Sequence, residues 1–139
     1  MDGTDGDATI GIAPVVTEET GPFWAGAADG RLLVERCTAC ASEQFPPYGT
    51  CRACRHREVE WVEITAPGTV YSFTVNHQRW LPDLPVPYAM VLVEFAEHPG
   101  VRVPGRLRGS TDAVTIGMTV AVGFEPGPGG FAIPSFVAA

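Results

Sequence analysis

The chain has 139 residues and an acidic balance, with 9 Lys+Arg against 16 Asp+Glu for a formal net charge of −7. This length fits one ordinary domain or two very small ones. A hydrophobic content of 45% argues against wholesale disorder. The acidity argues against a general nucleic-acid binder, which normally carries a basic surface. No apolar run approaches the about 20 residues that span a bilayer, so we expect no membrane segment.

The acidity is concentrated at the N-terminus, where residues 1–29 hold 6 of the 16 acidic residues and none of the arginines. Residues 1–16 show no clear periodicity, and we predict a disordered acidic lead there. No apolar signal-peptide core follows the acidic start, so we expect a cytoplasmic protein.

Residues 17–30 predict one short helix, which Gly30 can end in a left-handed conformation. Phe23 and Trp24 form part of its apolar stripe. A helix of this length is not stable alone. It must dock either on its own domain or on a partner, and we expect Phe23 and Trp24 to take part in that contact.

Two predicted strands, residues 31–36 and 58–64, flank two Cys-x-x-Cys pairs. Each pair sits in a tight turn that aims both sulfurs at one point, and two such turns supply a tetrahedral set of thiolates. Four cysteines in a cytoplasmic protein favour metal over disulfides. We therefore predict a helix and zinc ribbon over residues 17–66, with the ligands Cys37, Cys40, Cys51 and Cys54.

This metal site is expected to be structural, because four protein ligands leave no open position for substrate. Three alternatives stay open from the spacing alone. Iron uses the same ligands in rubredoxin-like sites, the cysteines can form two disulfides, and one Cys-x-x-Cys pair can be redox-active.

Residues 67–139 predict a small all-β barrel. Gly and Pro punctuate the chain with 16 and 13 residues, which favours short strands and turns. Pro104 and Gly105 predict a bulge or an edge within the third strand. The five predicted strands of this mainly β fold cover residues 69–76, 88–95, 101–107, 114–124 and 131–136.

No catalytic constellation is visible, and we predict no catalytic residue. His56 follows the second cysteine pair and is expected at the surface, and His98 is expected in a turn. His77 opens a Pro-rich loop, residues 77–87, between two predicted strands. Binding sites are often found on such loops, so the sequence favours a binding or accessory subunit over a self-sufficient enzyme.

Spaced motifs over residues 20–137 resemble the family known as domain of unknown function thirty-five. No single motif is specific, but together they are. The motifs are Phe23-Trp24, Gly30-Arg31-Leu32-Leu33, the two cysteine pairs, Gln44-Phe45-Pro46-Pro47, Trp61-Val62, residues 68–74, Pro87-Tyr88, Val93-Glu94, Ile116-Gly117-Met118 and Pro134-x-Phe136.

The resemblance implies a rubredoxin-like zinc ribbon followed by an oligonucleotide/oligosaccharide-binding (OB) barrel, associated with acyl-CoA metabolism. Members of the family act as small partners of thiolase-fold enzymes. These include thiolases, hydroxymethylglutaryl-CoA synthase assemblies and the retro-aldolases of bacterial steroid side-chain degradation. The implied function is a non-catalytic subunit that helps to assemble such an enzyme and to bind the shared CoA thioester. A hotdog-fold enoyl-CoA hydratase is the alternative partner.

A CoA thioester offers phosphates to arginine and an apolar acyl group to aromatic residues. Arg102, Arg106 and Arg108 are further candidates for the phosphates. A nucleic-acid-binding ribbon and barrel is the competing hypothesis, for which steeply salt-dependent binding is the test. The candidate partner-facing or CoA-facing residues are Phe23, Trp24, His77, Arg79, Trp80 and Tyr88.

Overall fold

A computed structural model describes residues 12–81 and 84–139, so residues 1–11 of the predicted lead lie outside the described part. One helix, α1 (Gly21–Ala28), falls inside the predicted segment. Gly30 follows it with φ +75°, the left-handed conformation expected at a helix end. The strands are β1 (Leu32–Cys37), β2 (Glu43–Gln44), β3 (Val59–Ile64), β4 (Gly68–Asn76), β5 (Tyr88–Glu94), β6 (Arg102–Leu107), β7 (Thr119–Pro126) and β8 (Ala132–Ala138).

The first three strands form a small antiparallel sheet in the order β2-β1-β3. Its register pairs Leu32 with Ile64 at one end and Cys37 with Val59 at the other. The first cysteine of the first pair therefore lies at the end of β1. The sequence analysis missed β2, because two residues are too few to show an alternating pattern.

The last five strands close into a barrel in the order β4-β5-β6-β8-β7, which returns to β4. The β6–β8 pair is parallel and the other pairs are antiparallel. A five-stranded closed barrel with this order is an OB-fold. The predicted mainly β fold, with a short N-terminal helix and a five-stranded barrel, is confirmed.

Of two local predictions, one was confirmed in part and one was wrong. Pro104 pairs in regular register with Leu92, so it forms no bulge, and the ladder irregularity lies between Val70 and Ser72 on β4. The predicted edge is present, because Pro104 has a partner strand on one side only. Pro104 is tolerated because β6 pairs with β8 only at its last two residues, Arg106 and Leu107. The predicted strand over residues 114–124 begins only at Thr119, after a short 3₁₀ helix over Thr111–Ala113 and a turn.

The barrel interior is filled mainly by valine. Inward positions on neighbouring strands alternate with exposed ones, as the pleat of a strand requires. Gly105 leaves the space that the Phe136 ring occupies, since a Cβ there would lie 2.7 Å from Cε2 of that ring. The fully buried barrel residues are Val70, Ala89, Val91, Val93, Val101, Val103, Val120, Ser135 and Phe136.

Helix α1 joins the ribbon sheet to the barrel. Phe23 is 5% exposed and packs against Phe45 of the ribbon, with ring centroids 5.4 Å apart. Trp24 contacts the barrel residue Phe131 edge-on at 5.4 Å. The described part of the chain contains no helix with the length and apolar character of a membrane span.

Gly68 opens β4, at the point where the chain passes from the ribbon into the barrel, and it is closely surrounded by other atoms. A Cβ at this position would lie 2.7 Å from Phe95 Cε1 and 2.9 Å from the Glu94 carbonyl oxygen. Because backbone cannot yield as a side chain does, we expect Gly68→Ala to lower the free energy of unfolding by about 2 kcal/mol or more. Urea unfolding measures this.

Gly21→Ala is the matched control, because no atom lies within 4 Å of its added Cβ. Gly21 is the first residue of α1, and alanine is a better helix former than glycine. The unfolding midpoint of this variant should equal or exceed that of the wild type. Equal midpoints for the two variants would contradict the packing described here.

Candidate metal centre

The four cysteines meet at one end of the ribbon sheet. Their Sγ atoms all lie within 4.8 Å of one another. Two pairs from opposite turns, Cys37 with Cys54 and Cys40 with Cys51, are each 3.6 Å apart. A tetrahedral zinc site with bonds near 2.3 Å requires sulfurs about 3.8 Å apart. All four thiols are free, so the alternative of two disulfides is not what the structure shows.

The two cysteine turns, which we call knuckles, share one backbone design. The N–H of Cys40 donates to Cys37 Sγ at 3.4 Å, and the N–H of Cys54 donates to Cys51 Sγ at 3.4 Å. Such N–H groups stabilise a thiolate, which is the form that binds metal. Backbone hydrogen bonds therefore orient these sulfurs without the help of a metal ion.

The residue after each knuckle adopts a left-handed conformation, with φ 65° at Ala41 and 69° at Arg55. The N–H of Ala41 donates to the Cys37 carbonyl at 3.0 Å, and that of Arg55 to the Cys51 carbonyl at 2.9 Å. Glycine is the residue that adopts this conformation without strain. This conformation was not predicted, because neither position holds glycine.

Thiol ionisation in the cluster is uneven. The N–H of Cys54 is the main cause that lowers the pKa of Cys51, to about 6, and the N–H of Cys40 likewise lowers the pKa of Cys37. The N–H of His56 acts to lower the pKa of Cys54. The neighbouring Cys37 thiol and burial raise that pKa by more, so the result is a pKa of about 12. Like charges at this spacing disfavour four thiolates together, and a divalent cation removes that conflict.

A buried carboxylate holds the second knuckle against β1. Glu35 is 1% exposed. Its Oε1 accepts hydrogen bonds from Gln44 Nε2 at 2.8 Å and from the Tyr48 N–H at 2.8 Å, while its Oε2 accepts one from the Gly49 N–H at 2.9 Å. Buried charge is tolerated when it is hydrogen-bonded in this way. The role of Glu35 was not predicted, although a glutamate inside an apolar strand is a visible signal.

Gln44 extends this contact into the knuckle itself. Its Nε2 also donates to the Thr50 carbonyl at 2.7 Å, and its Oε1 accepts from the Arg52 N–H at 3.0 Å. Both bonded residues flank Cys51. The position of the second cysteine pair is therefore fixed by side chains from β1 and β2.

Of the aromatic residues predicted to face a partner, those on α1 are engaged within the chain. Phe23 lies in the core, so we leave it out of the proposed interface. Trp24 is half-buried between Phe23 and Phe131. The helix thus covers the junction of ribbon and barrel, which was the alternative considered for it.

The other predicted contact residues lie at one end of the barrel. Trp80 is 66% exposed, and its indole N–H donates to Asn76 Oδ1 at 3.2 Å. Asn76 pairs with Tyr88, which is half-buried. His77 and Arg79 are exposed on the same loop, of which Pro82 and Asp83 lie outside the described residues.

The three further arginines have different environments. Arg102 lies 3.8 Å above the Tyr71 ring, and Arg106 donates to Glu125 from two nitrogens. That contact raises the pKa of Arg106. Arg108 packs over Gly123, and its buried Nε has no hydrogen-bond partner in the described part of the chain.

The two histidines outside the loop of Trp80, His56 and His98, make contacts within the chain. The carbonyl of His56 accepts the Cys51 N–H at 2.9 Å, and its side chain is not part of the cluster. His98 lies in the β5–β6 loop, and its Nδ1 lies 2.7 Å from Glu43 Oε1 on β2. This polar contact between barrel and ribbon was not predicted.

Family comparisons agree with this geometry over most of the chain. Residues 24–60 match the ChsH2 rubredoxin-like zinc ribbon domain, and residues 61–125 match the ChsH2 C-terminal OB-fold domain. The fold and the four-cysteine cluster define a zinc-ribbon and OB-fold protein. The chain belongs to the DUF35 family, in the form whose two domains are those of ChsH2.

Three curated relatives are similar to the chain. A 3-oxo-4,17-pregnadiene-20-carboxyl-CoA hydratase alpha subunit of Mycobacterium tuberculosis is 36% identical over 86% of this chain. A probable enoyl-CoA hydratase alpha subunit of Thermomonospora curvata is 33% identical over 78%. The chain spans only 37% and 34% of these two relatives. A DUF35 domain-containing scaffold protein of Methanocaldococcus jannaschii is 30% identical, over 68% of this chain and 67% of that one.

Two solved structures share the fold. The structure described as an Ltp2-ChsH2(DUF35) aldolase superposes with a TM-score of 0.81 at 29% identity, over 91% of this chain and 98% of that one. A DUF35 protein of Sulfolobus solfataricus superposes with a TM-score of 0.58 at 23% identity, over 76% and 80%, and supports the fold alone.

The metal content of the purified protein is the first property to measure at this site. We expect about one zinc per chain by elemental analysis, since four thiolates at tetrahedral spacing fit that ion. Cys51→Ser should lose the metal and the ordered ribbon, because metal binding supplies folding free energy in small ribbons. Near-ultraviolet circular dichroism follows the loss.

Ala53→Ser is the control, because Ala53 is exposed between the two cysteines of the second knuckle. It should keep the wild-type metal content. A wild-type protein that is metal-free yet unfolds at the same temperature as its zinc-loaded form would contradict a structural role for the ion.

Proposed function

We propose that the chain is a non-catalytic accessory subunit of a thiolase-fold acyl-CoA enzyme. The specific partner we propose is a retro-aldolase that cleaves a steroid side-chain CoA thioester, with a thiolase as the broader class. The observation that carries this proposal is the similarity of both domains to a protein described as an Ltp2-ChsH2(DUF35) aldolase. The subunit would help to assemble the enzyme and to bind the CoA thioester.

In this role the metal acts on structure and not on substrate. Four cysteine ligands saturate a tetrahedral ion, so no position is left for water or a thioester oxygen. Zinc bound by Cys37, Cys40, Cys51 and Cys54 would lock the two knuckles together. The acid and base groups of the cleavage would come from the partner.

The loop after β4 is the proposed contact with the partner. Trp80 is 66% exposed on this loop, and tryptophan is enriched among the buried anchors of protein interfaces. The bond from the Trp80 indole N–H to Asn76 restrains the ring in the free chain. A pre-ordered aromatic residue loses little entropy on binding, which suits an interface anchor.

A hotdog-fold enoyl-CoA hydratase is the second candidate partner. It is favoured by the two relatives described as hydratase alpha subunits. The two functions differ in chemistry, because a hydratase adds water to a double bond and an aldolase cleaves a carbon–carbon bond. Product analysis therefore distinguishes them.

The proposed function predicts activity only in a complex. Alone, the chain should release no cleavage product from a steroid side-chain CoA thioester. Co-expressed with a thiolase-fold partner from the same source, it should co-purify and be required for the full rate. Aldol cleavage by the isolated chain would overturn the proposal. If the chain co-purifies with a co-expressed hotdog-fold hydratase but not with the thiolase-fold enzyme, and the complex only hydrates its substrate, the second candidate is favoured.

Trp80 provides the test of the interface. Trp80→Ala should weaken the complex by about 2 kcal/mol or more, as expected for a buried anchor. Because the ring is exposed in the free chain, the melting temperature should hardly change. Calorimetric titration and thermal unfolding measure the two effects.

Ile116→Ala is the matched control, since Ile116 is an apolar side chain with a similar exposure of 68% on another barrel loop. It should change neither affinity nor melting temperature. Equal affinities for the wild type and Trp80→Ala would place the interface elsewhere.

A further inference from the structure

The second knuckle presents three exposed arginines around one concavity. Arg52, Arg55 and Arg57 line it together with Thr50 and the edge of Cys51. We call these three side chains the arginine face. The concavity has a volume of about 520 Å³, within the range of small-molecule sites.

No carboxylate neutralises this face within residues 12–81 and 84–139. The ribbon's other arginines differ, because Arg31 pairs with Glu63 and Arg36 pairs with Glu60. Arg52 contacts the Tyr48 ring at 4.8 Å, which orients its guanidinium without removing its charge. A zinc ion with four thiolates carries a formal −2, which offsets only part of the +3 of the guanidinium groups, so a bound anion would still stabilise the cluster.

The first knuckle lacks the positive charge of the second. It has the same backbone hydrogen bonds to sulfur and to the first cysteine carbonyl. At the corresponding positions Thr38 stands in place of Arg52, Ala41 in place of Arg55 and Glu43 in place of Arg57. The backbone of a knuckle therefore forms without arginine, and the positive face belongs to the second knuckle alone.

Arg55 occupies a strained position. Its φ of 69° disfavours any residue with a Cβ, and glycine would fit without strain. Ala41 adopts the same conformation in the first knuckle, so the strain comes from the knuckle backbone and not from the arginine. Arg55 lines the concavity, and the bond from the Arg52 N–H to Gln44 fixes the neighbouring backbone.

We propose that the arginine face is a binding site for a small anion with two linked phosphoryl groups. Guanidinium groups bind phosphate oxygens in pairs of parallel hydrogen bonds. Three of them match a diphosphate in charge and in number of donors, and Thr50 lines the same concavity. The site is separate from the loop of Trp80, and its test needs this chain alone.

The experiment compares two glycine variants of equivalent knuckle positions. Inorganic pyrophosphate is titrated calorimetrically into the purified full chain at low ionic strength. Arg55→Gly removes one guanidinium and should raise the dissociation constant by about tenfold or more. Ala41→Gly relieves the same strain in the first knuckle and should bind as the wild type does.

Stability is measured beside affinity. Both variants should melt at or above the wild-type temperature, because glycine relieves the left-handed strain in each. A loss of binding in Arg55→Gly therefore cannot come from unfolding. Extraction of metal by pyrophosphate would appear equally in both variants, and metal content after titration checks it.

Two results would overturn the proposal. One is the absence of pyrophosphate binding by the wild type up to about 10 mM, a concentration above the range of a specific site. The other is equal binding by both variants. If Arg55→Gly leaves pyrophosphate binding unchanged but weakens the complex with a protein partner, the face docks an acidic protein surface instead.

Discussion

The ribbon depends on one buried carboxylate. Glu35 sits on β1, the strand that ends at Cys37, and its three hydrogen bonds hold the segment that leads into the second knuckle. Without them, residues 45–50 would have no regular partner for their backbone, since they form no strand. The carboxylate therefore sets where Cys51 and Cys54 lie relative to the first pair. The metal cluster and the arginine face both follow from that placement.

Two contacts of different chemistry join the ribbon to the barrel. One is aromatic, from Trp24 on α1 to Phe131 beside β8. The other is polar, from Glu43 on β2 to His98 in the β5–β6 loop, with both side chains largely buried. Since the two contacts come from different elements, α1 and β2, they restrain rotation of one domain on the other better than either would alone. The accessory role proposed above requires such a fixed arrangement of the two domains.

The sequence predicted what local spacing determines and missed what long-range contacts determine. The two Cys-x-x-Cys pairs predicted the cluster, because the ligands of each knuckle are near neighbours in the chain. Most strands followed from β-branched runs between turn residues. The contact between Glu43 and His98 was missed because the two residues lie 55 positions apart. Glu35 was missed because Tyr48, one of its partners, lies 13 positions away. The start of β7 was misplaced because residues 114–118 are mostly apolar, as in a strand. In the structure they end in a turn whose backbone is hydrogen-bonded to β4.

A four-sulfur cluster in place of a hydrophobic core leaves the knuckle surface free to vary. In a hydrophobic core, substitutions near buried side chains alter packing and stability together. Here four sulfurs replace a core at the tip of the ribbon, and the residues between the cysteines of each pair are exposed. Those residues can change without disturbing the cluster, provided that the backbone N–H groups stay in place. The first knuckle keeps small uncharged residues there and the second carries arginine, so one metal centre supports two surfaces of different charge.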